Sequence, residues 1–187
     1  MTTIKLPARK IIPGLAAAAL AAGSYSPALA QTSQSVNTSA QIYEDITLLK
    51  ISDLDFGRVI VPRNGRVDMT AEEVPACTAN NTLQLLDDCQ SAGFAGTAAP
   101  GFNLRVSVPP GRGIDLVGPG QDLRLRRITV GPGEGLAFVR RVNRNFDFTI
   151  TNPAGEFAFY IGARLLFRNN QAPGVYTGSF DVDVEYE

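Results

Sequence analysis

Toward its C-terminus the chain alternates. Tyr176, Phe180, Val182, Val184 and Tyr186 fall on one parity, and Thr177, Ser179, Asp181, Asp183 and Glu185 on the other. Successive side chains of a strand point to opposite faces, so one half-buried strand is expected from Val175 to Glu187, apolar on one face and acidic on the other. A helix would scatter both sets around its circumference. The same period recurs upstream. Phe157, Phe159, Ile161, Ala163, Leu165 and Phe167 share a parity, with Arg164 and Arg168 opposite; Phe146, Phe148 and Ile150 alternate with Asn145, Asp147 and Thr149. Between these runs Asn152-Pro153-Ala154-Gly155 is a turn signal, which makes the pair an expected hairpin. Phe102, Leu104, Val106 and Val108 form another strand, ended by Pro109-Pro110-Gly111. Leu123 and Leu125 share a parity that Ile128 and Val130 reverse, which predicts a bulge at Arg126-Arg127.

The N-terminal part reads as strands over 42–51 and 54–61 and a short one around Val67. Between Thr70 and Gly101 alternation fails, and this segment is expected to be irregular, with a short helical turn at Leu83 to Leu86. About nine strands with turn signals every ~8–12 residues belong to an antiparallel all-β fold. The expected architecture is an immunoglobulin-like β-sandwich, with a closed barrel as the alternative. Plentiful Gly (18) and Pro (12) with only 19% charged residues suit short strands and tight turns.

Residues 1–30 are set aside as a cleaved signal peptide. Lys5, Arg9 and Lys10 form a basic head, Ile11 to Gly23 a short apolar run, and Ala28-Leu29-Ala30 a small-x-small cleavage pattern before Gln31. Pro13 and Gly14 interrupt the run, and a membrane-spanning helix needs about 20 apolar residues. Residues 31–41 then read as a polar extension and 42–187 as one domain. Removing the leader leaves 14 basic and 18 acidic residues, a net charge of −4, which argues against nucleic acid as a partner. The expected location is the periplasm, cell surface or extracellular space.

Export lets Cys77 and Cys89, the only cysteines, form a disulfide across the irregular 70–101 segment. Two thiolates without histidine are too few for a metal site, and no imidazole is available to activate a thiol nucleophile. The chain has no histidine at all, no G-x-S-x-G elbow and no phosphate loop. The adjacent acids Glu44-Asp45, Glu72-Glu73 and Asp87-Asp88 read as solvated charge, since neighbours along a strand diverge. Asp87-Asp88 with Asn80 and Asn81 lacks the regular ligand spacing of a calcium loop. No catalytic residue, metal ligand or cofactor is expected. Arg124, Arg126 and Arg127 with Arg140, Arg141 and Arg144 form a candidate anion-binding patch, conditional on their segments pairing across the Gly131–Gly135 turn. The plainer reading pairs these arginines with acidic rows such as Asp181, Asp183 and Glu185.

Leu54-Asp55-Phe56-Gly57 and Gln171-Ala172-Pro173-Gly174-Val175-Tyr176-Thr177-Gly178 resemble a domain-of-unknown-function family of exported bacterial β-proteins. That family is similar in pattern to spore-coat-U and archaic chaperone–usher pilin subunits. In the second motif Gly174 and Gly178 are expected to take unusual backbone angles. For the pilin group the resemblance implies an incomplete sandwich completed by a neighbour's N-terminal extension, with a periplasmic chaperone and other copies of the chain as partners. The candidate donor, 31–42, offers only Val36, Ala40 and Ile42 as apolar groups at one parity, a sparse set of anchors. Three roles follow as expectations. The first is a non-enzymatic structural subunit of the cell surface assembled by strand exchange. The others are a monomeric adhesin or carbohydrate-binding module, and a two-carboxylate hydrolase.

Overall fold

A computed structural model describes residues 44–80, 82–110 and 114–187; the expected leader and polar extension lie outside the described residues, as does Asn81. The described chain is all-β and antiparallel. One large sheet contains β1 (Thr47–Ser52), β3 (Gly65–Met69), β4 (Cys77–Ala79), β6 (Ala92–Thr97), β8 (Asp115–Leu116), β9 (Leu123–Pro132) and β12 (Glu156–Phe167). The second has the order β10 (Leu136–Val142), β11 (Asn145–Ile150), β7 (Asn103–Ser107), β13 (Asp183–Tyr186). A small third sheet joins β2 (Val59–Ile60) to β5 (Gln84–Leu85).

The centre of the large sheet is β12. Along one edge it pairs with β9; along the other its first half pairs with β6 and its second half with β3. Its inward parity supplies Phe157, Phe159, Ile161, Ala163, Leu165 and Phe167, all buried. From the second sheet Leu104, Val106, Phe146, Phe148 and Ile150 meet them, and this two-faced contact makes the fold a sandwich. Each such large side chain, fully buried, stabilises the fold by roughly 1.5–3 kcal/mol.

Several expectations are corrected. The turn at Asn152–Gly155 does not close a hairpin: β11 lies in the second sheet and β12 in the first, so the chain crosses the sandwich there. Both runs carry a core face, and two core faces are satisfied across the interior as well as side by side. The hairpin is instead β10–β11, turned at Asn143, which takes φ +58°. The 70–101 segment is not irregular throughout, since it supplies β4, β5 and the interior strand β6. In β6 the sequence Ala-Gly-Phe-Ala-Gly-Thr has one large side chain, so it shows no alternation. Smallness is what its position needs: a Cβ on Gly96 would run into the Thr47 carbonyl and stand 2.8 Å from the Phe157 ring. Leu83–Leu86 forms no helical turn; Gln84 and Leu85 pair with Ile60 and Val59.

The bulge does form. Between the Gly162–Thr129 and Arg164–Arg126 pairs, β12 has one residue and β9 two, and Arg127 takes φ +48°. The extra residue lets Leu123 and Leu125 before it, and Ile128 and Val130 after it, all face the core. Cys77 and Cys89 are disulfide-bonded, tying β4 to the chain that leads into β6.

Candidate functional site

The C-terminal strand is shorter than its alternation suggests. Val117 and Thr177 form an isolated bridge, and the regular ladder against β7 begins only at Asp183. The parity persists, with Phe180 and Val182 half-buried against the core and Ser179 and Asp181 exposed. Continued pairing would bring this stretch opposite Pro109 and Pro110, which follow β7. Proline has no N–H to donate and is excluded from regular ladders, so β7 ends at Ser107 and its partner ends with it.

Where the second sheet stops, two segments cover the large sheet instead, and a groove of about 610 Å³ lies between them. Its floor includes Leu116, Leu123, Leu165 and Phe167. One wall is the 54–61 segment. Asp55 exchanges two 2.8 Å backbone hydrogen bonds with Gln90, and its Oδ1 accepts the Gly57 N–H at 2.9 Å, which fixes the turn that buries Phe56. The other wall is Gln171–Tyr176. The Tyr176 hydroxyl donates to the Ala172 carbonyl at 2.8 Å and accepts from Gln171 Nε2 at 2.8 Å. Gln171 Nε2 also donates to the Gln121 carbonyl, while its Oε1 is buried with no hydrogen-bond partner among the described residues. Gly174 has the expected unusual angle, φ +147°, against Pro119. Gly178 does not; it is a close approach, its added Cβ lying 2.8 Å from the Asp115 carbonyl. The two motifs that sequence reading singled out are thus the two walls of one groove, apolar at its floor and with Asp55, Arg58 and Gln171 in its walls. Its size suits a small ligand or a few bulky side chains of an extended segment.

Of the acids, Asp55 alone lines this groove among the described residues, and its carboxylate is already a turn acceptor. Asp87 is held by Arg58 through Nε at 2.5 Å and Nη2 at 2.7 Å, and this hydrogen bonding keeps its carboxyl below the usual range. Glu72 accepts a 3.3 Å hydrogen bond from Thr70 Oγ1, and Glu44, Asp45, Glu73 and Asp88 are exposed. No group of three or more cysteines and carboxylates is arranged to hold a metal among the described residues.

The candidate arginine patch divides in two. β9 and β10 do not pair across Gly131–Gly135; they belong to different sheets. Arg124 and Arg126 project from the outer face of the large sheet, and Arg127 is the exposed bulge residue. Arg140 donates to Asp147 Oδ2 at 2.7 Å and also to Glu187. Arg141 stacks 4.7 Å over the Phe146 ring, and Arg144 is exposed in the turn between β10 and β11. Glu185 lies opposite Arg105 on β7, so the acidic row of β13 meets an arginine that sequence reading passed over. Arg105 had no visible signal, because its importance comes from register and not from local pattern.

The family model for a domain of unknown function, DUF4402, matches residues 46–186. No curated protein and no solved structure matches the chain.

Proposed function

Since the chain belongs to the DUF4402 family, whose description assigns no role, we propose from its geometry that it is a non-enzymatic, exported structural subunit of the cell surface, assembled with other copies by strand exchange. The observation that carries the reading is the apolar-floored groove between Leu54–Val61 and Gln171–Tyr176, beside a C-terminal run whose ladder stops at Asp183. Free strand edges next to exposed apolar pockets accept an extended segment from another chain, main-chain bonds giving affinity and pockets giving register. The donor is the neighbour's 31–41 extension, continuing to Ile42. Its sparse anchors make the exchange weaker than a fully apolar donor would. The leader pattern supports export, and the disulfide suits an oxidising compartment. A periplasmic chaperone would cover the groove before assembly.

The test compares two purified chains, one beginning at Gln31 and one at Ile42, by light scattering after gel filtration. The longer chain should form a ladder of multimers that persists in unboiled denaturing gels, and the shorter should be a folded monomer. Two monomers, or two identical ladders, would defeat the reading.

A further inference from the structure

The outer face of the large sheet gathers arginines that the sequence keeps far apart. Register sets two rows across it. In one, Arg66 on β3 and Arg124 on β9 flank Leu166 on β12; in the next, Asp68 and Arg126 flank Arg164. Arg168 continues the outward parity of β12 just beyond its end. Strands lie about 4.8 Å apart, so Arg66 and Arg124 are rooted about 10 Å apart across Leu166, with the second row about 7 Å further along. These five arginines face two carboxylates. Asp68 is shared by Arg66 at 2.9 Å and by Arg164, and Asp115 meets Arg124 at 3.5 Å. Arg126 and Arg168 have no carboxylate partner among the described residues. Arg168 makes one 3.4 Å contact, to Gln121 Oε1.

The face is also concave. A depression of about 550 Å³ is lined by Arg66, Arg124, Arg126 and Arg168 together with Asn80 and Asn169. The Arg66 N–H donates to Asn80 Oδ1 at 2.6 Å and the Asn64 N–H to Asn169 Oδ1 at 2.8 Å. Both amide oxygens thus already accept a backbone N–H, and each side chain also carries an NH₂ donor group. Arginine has donors only. A concave surface dominated by donors, with three positive charges in excess, complements a ligand that offers acceptors and negative charge.

We propose that this face binds an acidic polysaccharide through sulfate or carboxylate groups repeated along it. Separate charges in two rows suit a ligand whose anions recur along a chain better than a single ion. The choice of a polysaccharide over other polyanions rests on the export proposed above. The site itself uses neither the groove nor residues 31–41.

The experiment measures binding of a heparin hexasaccharide, an oligogalacturonate and a neutral dextran oligosaccharide to the chain beginning at Ile42, so that strand exchange plays no part. One or both anionic probes should bind, more weakly at about 200 mM than at about 50 mM salt, and dextran should not. The sulfated and carboxylated probes distinguish the two anion types. Arg126→Ala with Arg168→Ala should cost at least about tenfold in affinity, since even one lost charged hydrogen bond reaches that size. The double lysine variant should retain most of the binding. Arg141→Ala with Arg144→Ala, at the β10–β11 hairpin, should bind as the parent does. Thermal unfolding verifies that each variant is folded, and Arg168→Ala alone, in an exposed position, gives a second reading at reduced size. Equal binding of dextran, absence of binding to both anions, or equal loss in the Arg141/Arg144 variant would overturn the proposal. Self-association at low salt that requires Arg126 and Arg168, with no glycan bound, would identify a second copy's acidic surface as the partner and also overturn it. Failure of the multimer ladder would leave this result untouched, so the two readings fail separately.

Discussion

Asp147 sits between Phe146 and Phe148 on β11, and its side chain is fully covered. Register places Arg105 on one side and Arg140 on the other, with Glu185 beyond Arg105. The outer face of the second sheet therefore carries a row of alternating charge across all four strands. Hydrogen bonding from Arg105 lowers the Asp147 pKa from 3.8 to about 2, against burial, and Arg140 adds to the effect. A folded-state pKa below the unfolded one stabilises the fold above about pH 4, and that stability drains away as the pH falls toward 2. The expected size is about 2 kcal/mol. Asp147→Asn should thus lower stability by about that amount at neutral pH, and the gap to the parent should close near pH 2 in denaturant titrations. A constant gap at every pH would contradict this account. The alternation around Asp147 was legible in the sequence, but its charge partners were not, because they come from strands about 40 residues before it and a hairpin turn away.

Among the elements, those legible in the sequence were strands with bulky alternation. β12 and β11 follow their Phe and Ile positions, and the parity reversal at Arg126-Arg127 gave the bulge. What stayed hidden was β6, because glycine and alanine carry no hydrophobic period, and the end of β13, because an alternating sequence does not reveal that its partner runs into prolines. Two element-level consequences are measurable. Replacing Cys77 and Cys89 with alanine opens a crosslink of sequence separation 12, which should cost about 3 kcal/mol in urea unfolding on the chain-entropy model. A reductant should reproduce that loss in the parent. The Tyr186 hydroxyl accepts from the Ala99 N–H at 2.8 Å and donates to the Glu44 carbonyl at 2.8 Å, tying β13 to both the segment that leads into β1 and the loop after β6. Tyr186→Phe should lower stability by about 1–2 kcal/mol and speed hydrogen exchange at Ala99. Unchanged exchange there would show that the hydroxyl is not what holds this corner.

As a whole molecule, the chain is a sandwich whose second sheet covers only part of the first. Four strands face seven, and the segments 54–61, which includes β2, and 171–176 complete the cover around the groove. Sequence reading found the sandwich and both groove walls as separate motifs, but not their meeting, which depends on crossovers such as β11 to β12. The arginine patch divided for the same reason: adjacent segments entered different sheets, while Arg66 and Arg168 joined Arg124 and Arg126 from a distance. The apolar floor of the groove carries the assembly proposal. The most direct measurement mixes two single-cysteine populations, Ile60→Cys at the exposed groove lip and Ala40→Cys on the extension, each also carrying the Cys77→Ala and Cys89→Ala changes. Strand exchange predicts disulfide-linked dimers joining one of each kind, abundant only in the mixture. Dimers equally abundant in each population alone, or none in the mixture of folded proteins, would contradict it.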